Sequence, residues 1–300
     1  MGCWTEDAAH ASRAYDTQVR AVVLDAAGRP TVGEAPEPTG PGEPVEVLAC
    51  GLCGSDVEKI ERATAGTVLG HEVVARTAAG HRVALVHHAP CGSCPRCRTG
   101  HETTCDGFPA PTIVPGGFAE RVLATGGWVE LDDGVSDARG TLAEPLACVL
   151  RALDAVPPGR VLVVGNGFVG RLFGWALARR GDEVFAVDRD PARAGRAPDG
   201  PVGAAVLCAP GGAATAAAAL EPGGTLLVFA NAGALPLDLA YRRELTVVGR
   251  RSATPERLRE AVALLPLLDL PEPLVLPLAR FADGLDLYRR GATLKVVFTP

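Results

Sequence analysis

The sequence predicts an α/β chain whose second half is a doubly wound parallel sheet that lacks one edge-strand unit. Three observations predict it. A β-branched and leucine run, Val161–Val164, leads straight into Gly165-x-Gly167-x-x-Gly170 and an apolar-periodic stretch, Phe168 to Arg179. Gly181 ends that stretch, and a second run, Glu183–Val187, follows at once. Beyond Asp188 the segment DRDPARAGRAPDGPVG reaches the next run, about Ala204–Cys208, within some fifteen residues. Alternating strands and helices mark a parallel sheet. Gly195, Pro198, Gly200 and Pro201 leave no room in the short segment for the usual helix, strand and second helix.

The remaining elements follow from the same signals. Ala21–Leu24 and Val45–Ala49 read as strands separated by a Pro/Gly-rich loop. Ala213–Leu220 reads as a small-residue helix, Thr225–Phe229 as a strand and Leu245–Gly249 as the last strand of the parallel sheet. Pro255–Leu265 reads as a helix with proline in its first turn, and Lys295–Phe298 as a final strand. The common strand order 3-2-1-4-5-6 then becomes 2-1-4-5-6. An extended connector of about a dozen residues spans at most roughly 40 Å, enough to return along the sheet. The missing strand is an edge, so the glycine loop, Asp188 and the loop after Cys208 remain, with a more open pocket beside them.

Three hundred residues suggest two domains. A net charge of −6, with Lys59 and Lys295 as the only lysines, argues against nucleic acid and against an anionic membrane surface as partners. Residues 1–18 lack the apolar core of a secretory signal, and Glu6 stands where myristoylation of Gly2 wants Ser or Thr. The uncharged stretch Gly200–Leu220 is broken by Pro201, Gly203, Pro210, Gly211 and Gly212. It reads as strand, turn and helix rather than as a membrane span. Nine cysteines, an odd count, fit a reducing compartment, and a cytoplasmic location is expected.

Four of those cysteines form Cys91-x2-Cys94-x2-Cys97-x7-Cys105. Two-residue gaps let a loop turn its thiolates onto one ion, and four thiolates make a closed, structural zinc site. Cys53 in CGLCGSD, His71 in LGHE and Glu144 in LAEPLACVL offer a second donor set. One thiolate, one imidazole and one carboxylate leave zinc an open position, the property of a catalytic site. His87 and His88 read as strand-end residues beside the four-cysteine lobe rather than as ligands.

The glycine motif, in its strand–motif–helix–strand setting, is a dinucleotide fingerprint. Gly165 permits the tight turn, Gly167 admits a diphosphate to the backbone and Gly170 allows close helix–strand packing. Asn166, Phe168 and Val169 complete the loop, whose amides face the diphosphate at the helix N-terminus. Asp188 lies 18 residues after Gly170, where a carboxylate holds ribose hydroxyls and repels a 2′-phosphate. That favours NAD; Arg189 beside it is the feature that would serve NADP.

The ordered set CGLCGSD, LGHE, four-cysteine lobe, GGFAE, LAEPLA and GNGFVG resembles the zinc-dependent medium-chain dehydrogenase/reductase family, over about residues 19–300. EPLACVL is most similar to its polyol, sorbitol and threonine dehydrogenase branch. The resemblance implies an N-terminal extension (1–18), a β-rich GroES-like catalytic domain (19–147), a Rossmann domain (148–250) and a return to the catalytic domain (251–300). It implies a catalytic zinc held by Cys53, His71 and Glu144, with Glu72 exchanging with Glu144 or with water. It implies that Asp56 orients the histidine ligand and that Ser55 bonds the substrate hydroxyl. Where polyol and threonine enzymes carry a histidine three residues on, this chain has Glu58, and Ser55 with Glu58 or the cofactor ribose is expected to relay the proton. The Cys53–His71 interval is also short, so the loop over the substrate is trimmed.

The expected activity is hydride transfer between a secondary alcohol (a polyol, cyclitol or amino alcohol) and NAD, in a homodimer or homotetramer. An NADP-dependent zinc reductase and a zinc- and nucleotide-binding scaffold without turnover are the competing readings.

Overall fold

Short alternating strands build the first half of the chain. The computed structural model describes residues 18–108, 110–231 and 233–300. Gly2, Cys3, Glu6, Tyr15 and all of the N-terminal extension except Gln18 lie outside them. Strands β1 (Gln18–Leu24) and β2 (Pro30–Pro36) form an antiparallel hairpin. Next come β3 (Glu43–Gly51), helix α1 (Gly54–Ile60), β4 (Glu72–Arg76), β5 (Arg82–Leu85) and the short helix α2 (Pro95–Arg98) of the cysteine lobe. Strands β6 (Ile113–Val114), β7 (Arg121–Ala124) and β8 (Trp128–Glu130) follow, then helices α3 (Asp137–Gly140) and α4 (Ala143–Leu153).

The parallel part is β9 (Arg160–Val164), α5 (Phe168–Arg180), β10 (Glu183–Val187), β11 (Val202–Leu207), α6 (Ala213–Ala219), β12 (Leu220–Val228), α7 (Leu237–Arg242) and β13 (Thr246–Gly249). The chain ends with α8 (Pro255–Leu264), β14 (Leu274–Pro277), α9 (Phe281–Arg289) and β15 (Val296–Thr299).

Five parallel strands stand in the order β10-β9-β11-β12-β13, which is the 2-1-4-5-6 order expected of a sheet without its edge unit. Nothing helical or stranded intervenes between Val187 and Val202. The connector instead lies along the exposed edge of β10. The Ala186 N–H donates to the Arg196 carbonyl, and the Gly195 N–H to the Ala186 carbonyl, at 3.0 and 3.2 Å. Arg196 also covers Phe185, 4.3 Å from its ring centroid, and pairs with Glu183. An edge strand's free amide groups are thus partly met without a partner strand.

Strand β12 starts earlier than the expected Thr225. Leu220 pairs with Val202, and the register then jumps to Ala204 opposite Thr225. Glu221 to Gly224 form the irregularity, which apolar periodicity does not signal.

The mostly antiparallel sheet runs β14-β15-β3-β4-β5-β8, with β7 and β6 added on β3. The final strand β15 therefore returns to the sheet of the first half, beside β3. One apolar core lies around β3, β4, Phe118, Phe281 and Phe298. Another joins α4, α5 and α8 to β9 and also takes in Ala49, Val74 and Val297 of the antiparallel sheet. Each large apolar side chain fully buried there contributes roughly 1.5–3 kcal/mol against exposure. Among the described residues no helix is long and apolar enough to cross a membrane.

Candidate metal centre and nucleotide cleft

Cys53 sits at the N-cap of α1, and His71 and Glu72 lie at the start of β4. The turn at Gly70, with φ +98°, brings the two elements together. One ligand atom from each of Cys53, His71 and Glu72 lies within 4.8 Å of the others. Thiolate sulfur, imidazole nitrogen and carboxylate oxygen are donors zinc takes, and this set fits it.

Asp56 anchors the group from one side. Its carboxylate accepts the Cys53 N–H at 3.1 Å and the Gly70 N–H at 3.3 Å, and it meets His71 Nδ1 at 3.1 Å. That contact fixes the ring and leaves Nε2 as the remaining donor atom, the usual arrangement behind a metal-binding histidine. Burial disfavours a charged His71, yet the Asp56 carboxylate and Cys53 outweigh it and hold the histidine well above its ordinary pKa. Burial works against the Asp56 carboxylate too, and His71 nevertheless keeps its pKa below the ordinary value. The Ser55 hydroxyl donates to Cys53 Sγ at 3.4 Å.

Glu144, expected as the third ligand, stands outside this group. It lies in the first turn of α4, and Cys148 one turn later donates to its carboxylate at 3.3 Å. Burial, aided by the charge of Glu72, pushes its pKa up despite His71 nearby. Glu72 instead lies with Cys53 and His71, because β4 carries it directly beside His71. Glu58 is not brought to the site. It is on the exposed face of α1 and makes no hydrogen bond or ion pair among the described residues.

The second metal group is Cys91, Cys94, Cys97 and Cys105, with their sulfurs within 4.8 Å of one another. Backbone amides point at the sulfurs. Cys94 N–H donates to Cys91 Sγ at 3.3 Å, while Cys91 and Gly107 N–H groups donate to Cys105 Sγ at 3.4 and 3.3 Å. Four thiolates so supported suit a tetrahedral zinc. A ladder of rings joins the two metal groups. His71 stacks on His87 with centroids 4.4 Å apart, His87 meets His88 at 3.7 Å, and His88 stacks on Phe108 at 3.6 Å.

A cleft of about 950 Å³ runs from Cys53 and Glu72 to the glycine loop and Asp188. Gly165 has φ +95°, and a Cβ there would strike Ala209 at 2.4 Å. A Cβ on Gly170 would fall 2.0 Å from the Gly165 carbonyl oxygen, so helix α5 packs on the loop only with glycine there. Asp188 accepts the Asn166 N–H at 2.7 Å and the Asp190 N–H at 2.9 Å, which ties its carboxylate to the loop. The loop, its helix and this carboxylate fit a dinucleotide.

Residues 43–131, which hold Cys53, His71, Glu72 and all four lobe cysteines, match the alcohol dehydrogenase GroES-like domain. That match, together with the relatives below, supports a place in the zinc-dependent medium-chain dehydrogenase/reductase family.

Its relatives point to the polyol side of that family. It is 28% identical over 269 residues to the D-altritol 5-dehydrogenase of Agrobacterium fabrum, covering 74% of this chain and 80% of the relative. It is 30% identical over 172 residues to the L-galactonate-5-dehydrogenase of Escherichia coli, covering 50% of this chain. The chain spans about half the length of that relative, 49%. The fold superposes on acetophenone reductase from Geotrichum candidum, solved in complex with NAD, with a TM-score of 0.83 and 18% identity, over 95% of this chain and 98% of that one.

Sequence reasoning missed Lys295 and Tyr288 in the cleft. Lys295 precedes β15, is 4% exposed, and pairs through Nζ with Glu72 while donating to the Leu52 carbonyl at 3.1 Å. Its signal was a lone lysine opening a buried apolar run, since a charge there must be paired. Tyr288 of α9 lines the cleft near Cys53 and Gly54, and burial pushes its phenol up to about 12. A single tyrosine in an amphipathic helix carries no such signal.

Proposed function

We propose that this protein is an NAD-linked dehydrogenase of secondary alcohols, working on a polyol, cyclitol or amino alcohol, and in reverse on the ketone. The observation that carries the reading is the convergence of Cys53, His71 and Glu72 at the end of the cleft that holds the glycine loop. Zinc held by these three supplies Lewis-acid polarisation of a substrate oxygen, and a nicotinamide supplies the hydride acceptor.

The chain's own residues then have defined tasks. Asp56 keeps the His71 ring oriented and balances its charge. Lys295 offsets the buried Glu72 carboxylate. Ser55, part-buried beside Cys53, is the hydroxyl placed to take a substrate proton and pass it outward. Glu58 faces solvent and is left out of this relay. Gly165 to Gly170 and the first turn of α5 seat the diphosphate, and the Asp188 carboxylate faces the ribose, where it disfavours a 2′-phosphate. Glu144, one step behind the donor group, is a reserve carboxylate rather than the resting ligand.

The division into a catalytic part, 19–147 with 251–300, and a nucleotide part, 148–250, is the domain arrangement we adopt. A homodimer or homotetramer is part of the same reading, supported by the free edge of β13 and the exposed Leu237, Tyr241 and Val247 near it.

The test is a screen of zinc-loaded protein against polyols, cyclitols and amino alcohols with NAD and NADP, followed by NADH absorbance. Turnover that is lost in Cys53→Ser, with the protein still folded, supports the reading. Silence across the panel from protein carrying two zinc ions per chain would sink it in favour of a scaffold.

A further inference from the structure

The connector that stands in for the missing edge unit does more than close the sheet. It lines the cofactor cleft with Asp188, Arg189, Asp190 and Arg193. Its backbone is fixed at the point where Arg193 leaves it. The Asn166 side-chain amide of the glycine loop donates to the Arg193 carbonyl at 2.6 Å, and the Arg193 N–H donates to the Asp190 carbonyl at 2.9 Å. From there the Arg193 side chain, about a quarter exposed, crosses the cleft. Its Nη2 donates to the carbonyl of Gly291, in the segment between α9 and β15. Its Nε lies 3.4 Å from the half-exposed Asp190 carboxylate.

The third nitrogen, Nη1, makes no hydrogen bond among the described residues. It lies 3.9 Å from where a Cβ on Gly167 would stand. Gly167 is the residue whose bareness lets a diphosphate approach the backbone. A guanidinium held at one end by a carbonyl and open at the other toward that seat is arranged to accept phosphate oxygens, which match its planar fork.

We propose that Arg193 is a cofactor-binding residue: its guanidinium grips the dinucleotide's diphosphate while tied to Gly291, so that the bound dinucleotide braces the two walls of the cleft against each other. This rests on the dinucleotide reading of the cleft. It gives the shortened connector a binding task that the missing helices and strand would otherwise have displaced.

The test measures binding by calorimetry with NADH, ADP-ribose and adenosine, on wild type, Arg193→Gln and Gly291→Ala. A Cβ on Gly291 would lie 2.6 Å from Nη2, so Gly291→Ala displaces the guanidinium without removing its charge. The expected result is a roughly tenfold loss of affinity for NADH and ADP-ribose in Arg193→Gln, the size of one charge-assisted hydrogen bond. Gly291→Ala shows a smaller loss of the same kind, and adenosine binds all three proteins alike. Hydrogen exchange over residues 287–292 should slow when ADP-ribose binds wild type and not when it binds Arg193→Gln. If Arg193→Gln holds ADP-ribose as tightly as wild type does, the role of Arg193 is overturned and the cofactor reading stands. If wild type binds neither NADH nor ADP-ribose, both fall together.

Discussion

Lys295 and Glu72 form an ion pair in which both side chains are almost wholly out of solvent, 4% and 1% exposed. Lys295 directly precedes the last strand and Glu72 opens β4, more than two hundred residues apart in sequence. The pair thus ties the C-terminal return of the chain to the metal group. Burial favours a neutral lysine, but Glu72 and Cys53 outweigh it and hold the Lys295 pKa above its ordinary value. Removing one partner leaves the other charged and buried, which costs about 3–5 kcal/mol, whereas removing both costs much less. Lys295→Met should therefore lower stability by that order in urea unfolding, and Glu72→Gln with Lys295→Met should recover most of the loss. A double variant no more stable than the single one would show that the pair is not coupled.

Gly51 is the backbone space that lets this pair exist. A Cβ there would lie 2.0 Å from Glu72 Oε2 and 3.1 Å from Lys295 Cε. Neither group can retreat, since both are buried. Gly51→Ala should cost about 1–3 kcal/mol by overpacking and should weaken zinc retention at the Cys53 site while leaving the cysteine lobe loaded. Thermal unfolding together with zinc analysis after dialysis checks both halves of that expectation.

The two metal groups should load independently. Cys105→Ser removes a buried thiolate from the lobe and should leave one zinc per chain, as should Cys53→Ser at the other group. Structural zinc contributes directly to folding free energy, so the two variants differ in stability. Cys105→Ser should expose the loop around residues 91–105 to protease, and Cys53→Ser should not. Two zinc ions retained in Cys105→Ser would contradict a four-thiolate lobe.

What could be read in advance was what local chemistry dictates. The glycine motif between apolar runs placed β9, α5 and β10 within a residue of their bounds, since turn, helix stop and strand burial are written in neighbouring residues. The proline and glycine content after Asp188 foretold the missing unit for the same reason. Cysteine spacing found the lobe. Which carboxylate joins Cys53 and His71 was not legible, because Glu72 and Glu144 differ only in how α4 and β4 aim them. Lys295, Tyr288 and Arg193 reach the cleft through tertiary packing, which a one-dimensional pattern does not contain.

Zinc uptake at the Cys53 group should release protons and strengthen with pH. His71 in the zinc-free fold has a pKa raised well above 6.5, because Asp56 and Cys53 outweigh burial. A group raised in the folded state stabilises the fold fully below its unfolded value and loses that contribution as pH climbs through the folded value. Zinc needs the neutral imidazole, so binding must expel the His71 proton over that window. Calorimetry of zinc binding in two buffers of different ionisation enthalpy counts the protons. His71→Gln should release about one fewer than wild type near pH 7. Equal release from the two proteins would mean that His71 is already neutral in the zinc-free state.

On the function proposed above, cofactor choice rests on the Asp188 carboxylate. It accepts two backbone N–H groups, from Asn166 and Asp190, at the end of β10. A 2′-phosphate brought against it meets like charge in a cleft of reduced dielectric, while ribose hydroxyls meet an acceptor. Asp188→Ala removes the repulsion and leaves Arg189, the next residue in the cleft lining. The variant should lose about tenfold in NADH affinity, the size of a hydrogen bond to a charged group, and should gain a similar factor for NADPH. The loop loses two tethers as well, so a fall in both affinities would show that Asp188 serves the loop's shape and not the ribose. Opposite movement of the two affinities is what a contact with the ribose requires, and loop damage alone does not produce it.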